Sequence, residues 1–356
     1  MKLLHSADLH LDAPFASLPP EQAAVLNKAL LEIPGQLVRL CRQEDCRMML
    51  LSGDLFDGPY TRQSLDALRD ALAGAGVPVF VAPGNHDFCG GESPWLSESW
   101  PENVHIFTKP AITSLALPEL DCRVYGGGFA SMDCPGLLAG FRAEGGERYA
   151  IGVLHGDPTR TDSPYCPVTA AQVQESGLDY LALGHIHKGG SFRAGGTLCA
   201  WPGCPMGRGF DETGVKGALI VTLEESAEAR FVPLDTPRFH DLEAEAGADP
   251  AAALAALLPP AGSRDFYRVT LTGESSGVDT EALLSRFSAF PNLRLRDQTT
   301  APVDLWANAG ADTLEGVYFQ ILRDAMEGQE EPVRRRIALA AKISRQILSG
   351  QEVVLP

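Results

Sequence analysis

The 356-residue sequence predicts an α/β sheet layered with helices, followed by a small α+β domain and a helical C-terminal stretch. Three observations predict it: short apolar runs recur through the first two thirds, helical periodicity fills some of the gaps between them, and the texture changes past residue 235. The runs are 2–7, 48–52, 77–82, 150–154 and 180–183, each with the length of a buried strand. Segments 22–42 and 62–73 carry apolar residues at three- and four-residue intervals, and Gly74-Ala75-Gly76 stops the second. In the small domain, 239–246, 266–272 and 293–297 read as strands and 250–258 and 280–290 as helices. Pro259-Pro260-Ala261-Gly262 reads as a loop. From about 303 the chain turns helical, with Leu314, Val317, Tyr318, Ile321 and Leu322 on one face and Val333, Ile337, Ala340, Ala341, Ser344 and Ile347 on a second stripe. The expected domains are therefore 1–235, 236–302 and 303–356.

Composition bounds the function. With 45% hydrophobic and 21% charged residues the chain is ordinary and globular, which excludes a disordered, collagen-like or coiled-coil protein. Its 29 basic against 46 acidic residues give a net charge of −17, so most of the surface repels polyanions and any nucleic-acid site must be local. The eight cysteines form no C-x-x-C pair, which argues against a zinc knuckle or a disulfide scaffold. His5 and Asp8 arrive too early for a signal-peptide apolar region, and no stretch approaches the ~18 apolar residues of a membrane span. A cytoplasmic protein without membrane segments is expected.

The chemistry lies where strands end. Asp8-Leu9-His10, Gly53-Asp54, Gly84-Asn85-His86-Asp87, His155-Gly156 and Gly184-His185-Ile186-His187 each follow an apolar run directly, and ligands of open α/β sheets collect at the carboxyl ends of strands. Imidazoles and carboxylates with one amide and no thiolate suit Mn²⁺, Fe²⁺ or Zn²⁺. Seven such groups exceed one metal's needs. Two metals sharing a carboxylate use them all, and a pair roughly 3.5–4 Å apart clamps both oxygens of a phosphoryl displacement. Gly53, Gly84 and Gly184 each precede a ligand candidate, where close backbone approach calls for a residue without Cβ. Strand alternation would put Asp8 with His10, and His185 with His187, on one face. His5, His105 and His240 read as structural, and Asp12 and Asp57 as loop or cap residues. Arg208 is a candidate phosphate contact. The basic run Arg334-Arg335-Arg336 with Lys342 and Arg345 is either a solvated helix face or a contact for an acidic partner or a DNA backbone.

The ordered series D-x-H, G-D, G-N-H-D, H-G and G-H-x-H resembles that of the calcineurin-like metallophosphoesterase superfamily. The longer strings Ser6-Ala7-Asp8-Leu9-His10-Leu11-Asp12, Gly53-Asp54-Leu55-Phe56-Asp57 and Trp201-Pro202-Gly203 resemble those of SbcD-type DNA repair exonucleases, in particular the YhaO-like bacterial branch. The resemblance covers residues 1 to about 235; the small domain is similar to that family's capping domain only in size, order and strand–helix pattern. It implies a four-layer sandwich of two β-sheets flanked by helices, with a small α+β capping domain and C-terminal helices. It also implies that Asp8, His10, Asp54 and His187 hold one divalent metal, that Asp54 bridges to a second, and that Asn85, His155 and His185 complete that second site. Mn²⁺ is the first expectation, Fe²⁺ or Zn²⁺ the alternatives. His86 is implied as the group that touches the scissile phosphate and protonates the leaving group, with Asp87 as its orienting partner. Some nuclease relatives carry a second non-ligand histidine where this chain has Asp57, so that histidine's role does not transfer.

The activity implied is DNA hydrolysis by water activated between two metals, partnered by an SbcC-like coiled-coil ATPase docking on the C-terminal helices; homodimers also occur in the resembling family. Two other readings stay open. The charge of −17 favours a small-nucleotide phosphodiesterase without a DNA role, and a scaffold that has lost catalysis is disfavoured because all seven ligands and His86 are present.

Overall fold

The computed structural model describes residues 1–260 and 263–350, and it divides into two units. The first comprises Met1–Asp241 with Arg264–Arg268 and is built on two six-stranded sheets. Strands β1 (Lys2–Ser6), β2 (Met49–Leu51), β3 (Val79–Val81) and β4 (Val104–Ile106) pair side by side in parallel. The chain then builds the second sheet from β5 (Thr113–Leu117), β6 (Cys122–Gly127), β7 (Tyr149–His155), β8 (Tyr180–Gly184), β9 (Lys188–Ala194) and β10 (Thr197–Gly203), in the spatial order β5-β6-β7-β8-β10-β9. It returns to the first sheet through β11 (Gly217–Leu223), antiparallel to β1 with Lys2 opposite Thr222, and ends at the edge with β12 (Ala227–Pro233).

Both faces of the first sheet are covered, which is why its central strands read as unbroken apolar runs. Leu3, Leu50 and Phe80 point towards the second sheet and pack with Val124, Ile151, Val153 and Tyr180. Their neighbours Leu4, Met49, Leu51, Val79 and Val81 point the other way, onto helices α1 (Pro20–Gln43) and α2 (Arg62–Ala73), which supply Leu26, Leu30, Ile33, Leu65 and Leu68. Truncating a wholly buried ring such as Phe80 to alanine would cost about 3–5 kcal/mol. The short helices α3 (Pro94–Ser97) and α4 (Ala170–Glu175) complete the unit, and Val173 of α4 packs against Leu181, Leu183 and Cys199 beneath the second sheet. Helix, sheet, sheet and helix form the expected layered sandwich. The start of α2 is fixed by Thr61, whose hydroxyl caps Ser64, while the Asp12 carboxylate accepts hydrogen bonds from the amide and hydroxyl of Thr61 and from the Ser64 hydroxyl.

The second unit comprises Leu242–Ser263 and the chain from Val269 onward. Strands β13 (Phe239–Glu245), β14 (Phe266–Thr272) and β15 (Leu293–Asp297) form a three-stranded sheet. Helices α5 (Pro250–Leu257), α6 (Thr280–Arg286), α7 (Leu314–Asp324) and α8 (Glu331–Leu348) follow. Ala261 and Gly262 of the expected Pro-Pro-Ala-Gly loop lie outside the described residues. The apolar stripe read on α7 is not its packed face: Phe319 is buried under the Arg345 guanidinium, whereas Leu314 is 90% and Ile321 60% exposed. Among the described residues, no helix is long and apolar enough to cross a membrane.

Candidate metal centre

Five chain segments leaving the sheets bring their polar side chains to one place in the first unit. The segments after β1 and β2 run side by side, with the amides of Asp8, His10 and Leu11 donating to the carbonyls of Gly53, Asp54 and Leu55 at 3.0, 3.0 and 2.9 Å. They are not extended strand ends. Asp8, His10, Asp54 and His185 have φ of 54°, 47°, 51° and 92°, so the alternation expected for Asp8-Leu9-His10 and His185-Ile186-His187 gives way to a left-handed backbone. Glycine makes the crossing segments fit. A Cβ on Gly84 would lie 2.3 Å from Asp54 Oδ1, and one on Gly184 only 2.0 Å from the Ser52 carbonyl oxygen.

All seven expected ligands converge. His10 and His187 face each other Nε2 to Nε2 at 3.1 Å. His155 Nε2 lies 2.9 Å from Asn85 Oδ1 and 3.5 Å from Asp54 Oδ2, and His185 Nδ1 is 3.3 Å from Asn85 Oδ1. The sets Asp8–His10–His187 and Asp8–Asp54–His155 each offer ligand atoms within 4.8 Å of one another. The remaining hydrogen bonds hold these groups still: His185 N donates to Asp8 Oδ1, His86 N to Asp54 Oδ1, and His155 Nδ1 to the Ser52 carbonyl.

Two observations show that cations fit here. Asp8 Oδ2 is buried and has no hydrogen-bond partner, a cost of about 1–3 kcal/mol for any buried polar atom and more for a charged one. His10 and His187 also set Nδ1 against carboxylates, Asp57 at 2.7 Å and Glu212 at 2.6 Å, and a neutral ring that donates from Nδ1 turns its Nε2 lone pair inward. Burial holds the His10 pKa below the usual histidine value, favouring that neutral ring. Burial, then the neighbouring His155, pushes His185 down to about 4.

The calcineurin-like phosphoesterase family model matches residues 1–189. The chain belongs to that family. It is 33% identical over 244 residues to the uncharacterized metallophosphoesterase YhaO of Bacillus subtilis (strain 168), a match covering 62% of this chain; the chain spans 57% of that relative's length. Similar solved structures include TT1561 of Thermus thermophilus, at 12% identity and a TM-score of 0.40 over 65% of this chain and 98% of that one. A dimetal phosphatase from Danio rerio is 14% identical with a TM-score of 0.43, over 65% of this chain and 96% of that one.

Around these converging side chains stand groups that the sequence did and did not reveal. His86, its side chain 43% exposed, stands at the opening with Nδ1 3.2 Å from Asp57 Oδ1, a contact that raises its pKa. Asp87 is not its partner, contrary to the expectation from adjacency. Its carboxylate turns inward to accept from the amides of Gly84 at 2.7 Å, Leu55 at 2.8 Å and Asp54 at 3.2 Å, and burial together with Asp54 pushes its pKa up to about 6. Those amides lie at the bases of two ligand-bearing loops, so Asp87 ties the loops together, and the orienting contact to His86 comes from Asp57.

Asp57 is therefore more than a loop residue: one oxygen meets His10, His86 and, at 3.3 Å, an Arg208 nitrogen. Arg208 also binds Glu212, its own amide donating to Oε2 at 2.8 Å and its guanidinium reaching Oε1 at 3.2 Å. Despite burial, hydrogen bonds from His10 and His86 to Asp57, and from His187 and Arg208 to Glu212, with the Arg208 charge, hold both carboxyls well below the usual carboxylate range. Glu212 carries no motif and follows a loop, whereas the spacing Gly53-Asp54-x-x-Asp57 is a signal that could have found Asp57. The other histidines stand apart from the centre: buried His5 bonds Tyr180 and Ser52, His105 lies against Phe80, and His240 stacks on Tyr267.

Proposed function

We propose that this phosphoesterase is a metal-dependent phosphodiesterase acting on DNA, as an exonuclease or endonuclease in repair. The observation that carries the metal-dependent part is the buried, unpartnered Asp8 Oδ2 among converging imidazoles. Asp8, His10, Asp54 and His187 would hold one divalent cation, and Asn85, His155 and His185 with Asp54 a second. Mn²⁺ is the first choice and Fe²⁺ or Zn²⁺ the alternatives. Bound cations supply Lewis acidity to the phosphoryl oxygens and make a water acidic enough to attack near neutral pH. The residues around them do the rest. His86, with Nδ1 held by Asp57, presents Nε2 to the ester oxygen that departs and carries the proton it needs. Arg208, pinned between Asp57 and Glu212, sets a guanidinium where a non-bridging phosphoryl oxygen would lie.

The DNA substrate rests on the likeness of the Asp8, Asp54 and Trp201 strings to those of repair exonucleases. On the same ground the partner is an SbcC-like coiled-coil ATPase that docks on α7 and α8, where the exposed Leu314, Val317 and Ile321 offer an apolar stripe; deleting 303–356 should abolish that association. A cytoplasmic location is part of the same reading, and the eight free cysteines suit it; a homodimer rests on the family resemblance alone. The net charge of −17 favours a second reading, a small-nucleotide phosphodiesterase. Mn²⁺-dependent cleavage of labelled single- and double-stranded DNA, measured beside cyclic and linear dinucleotides with metal analysis of the purified protein, decides between them. Faster DNA cleavage is expected, and a clear preference for dinucleotides would replace the first reading with the second.

A further inference from the structure

A groove leaves the metal centre on the His187 side, with a cavity volume of about 430 Å³, inside the roughly 300–1,000 Å³ range of small-ligand sites. Its wall is made by β9, β10 and the chain from Thr213 to Phe231. Three features set it apart from the rest of the surface. Among the described residues its basic side chains, beside the His187 imidazole, are Lys188 and Lys216, and no carboxylate lines it, in a chain that carries 46 acidic residues. Neither lysine makes an ion pair among the described residues, whereas Lys2, Arg62, Arg123, Arg160 and Arg230 do. The positive charge of Lys216 is also felt at Cys204, whose thiol lies 3.7 Å from Glu212 beside His187, so one lysine stands close to the centre itself.

The third feature is aromatic. Phe231 is 42% exposed, and Trp201 packs its indole so tightly on Gly190 that a Cβ there would lie 2.5 Å from the ring. The indole N–H is already committed to the Lys188 carbonyl at 2.9 Å, which fixes the ring and leaves its carbon surface to the groove. Rigid aromatic surface interleaved with unpaired cations is the chemistry that binds unpaired nucleobases and the phosphates between them. Paired bases hide their faces in the stack and would leave Phe231 without a partner.

We propose that the Lys188–Trp201–Lys216–Phe231 groove binds a single-stranded segment of the polynucleotide substrate next to the scissile phosphate. The proposal rests on the phosphodiesterase reading above and adds to it the local basic track that an acidic chain requires. It makes the strand, rather than the duplex, the form that enters the centre.

The test measures fluorescence anisotropy of a labelled oligothymidylate in EDTA, where nothing is cleaved, across a range of salt. Replacing both lysines (Lys188→Gln with Lys216→Gln) should flatten the salt dependence by about 1.4 in the slope of log K against log salt, two single-strand contacts' worth. Phe231→Ala should weaken binding about tenfold while leaving that slope alone. A control that removes the same charge elsewhere, Lys28→Gln with Lys109→Gln, should leave the slope as it was; an equal effect from the control, or equal affinity for a blunt duplex, overturns the proposal. Turnover of bis(p-nitrophenyl) phosphate by the unaltered protein with Mn²⁺ separates the two levels. No turnover sinks the phosphodiesterase reading itself, whereas turnover with oligonucleotide binding indifferent to all three groove residues sinks the groove alone.

Discussion

The two halves of the metal centre are built differently although both end in histidine. On one side His10 and His187 lean on carboxylates, Asp57 and Glu212, with Arg208 laced between them. On the other side His155 leans on the carbonyl of Ser52, and the rings of Phe129 and Tyr165 lie 5.4 and 4.8 Å from His155 and His185. A carboxylate behind an imidazole makes it a stronger donor and fixes its orientation, whereas a carbonyl and apolar rings fix orientation without adding charge. The first half should therefore hold its cation more tightly than the second, and metal should fill the centre in two distinguishable steps.

The largest expected effect falls on what the halves share. Asp54→Asn should lower Mn²⁺-dependent phosphodiester turnover by on the order of 10³-fold, about 4 kcal/mol of barrier, with an unchanged circular dichroism spectrum; activity above a tenth of normal would mean that Asp54 is not common to both cations. Asp57→Asn and Glu212→Gln should each weaken the tighter calorimetric binding step by about 10–100-fold and leave the weaker one in place. Equal weakening of both steps would erase the distinction.

A third buried histidine calibrates what an imidazole without a ligand role does. Burial pushes His5 down to about 3, below the ordinary 6.5, so the unfolded chain binds the extra proton between those values. The contribution of His5 is whole above pH 6.5 and is lost as pH falls towards 3. Denaturant titrations should show the stability advantage over His5→Gln shrinking by a few kcal/mol across that window, and a gap that stays constant would contradict it. The smallest effect belongs to the apolar half: Tyr165→Phe keeps the ring against His185 and should change turnover by less than about twofold, whereas a tenfold loss would give the hydroxyl a role that the ring contact does not explain.

Much of this candidate centre is legible in the sequence because the proposed ligands follow strand ends, and buried parallel strands advertise themselves as apolar runs. The runs at 2–7, 48–52 and 180–183 coincide with β1, β2 and β8 to within a residue or two. Strands β5, β6, β9, β10 and β12 do not stand out in the same way, whereas Ala218-Leu219-Ile220-Val221 of β11 is an apolar run of the same kind. Lys188-Gly-Gly-Ser-Phe-Arg-Ala of β9 is interrupted by glycine and largely exposed, so neither periodicity nor apolar content marks it. Asp87 is misleading because neighbours in sequence suggest neighbours in space; the chain turns between His86 and Asp87, and the inner carboxylate finds four amides instead. Glu212 has no signal, since its meaning depends on a loop that comes back to His187 across 25 residues. For α7, periodicity reports that a stripe exists and not whether this chain covers it.

The left-handed backbone at Asp8, His10, Asp54 and His185 narrows what can evolve at those positions. That conformation costs most side chains roughly 1–2 kcal/mol and is tolerated best by aspartate, asparagine, histidine and glycine. Each of the four residues is thus constrained twice, once by the proposed coordination chemistry and once by the shape of the peptide that carries it. Glutamate would keep the charge of Asp8 or Asp54 and still be a poor heir. Drift towards another metal preference has an easier route through Asn85, His155 and His187, whose backbones impose no such second condition.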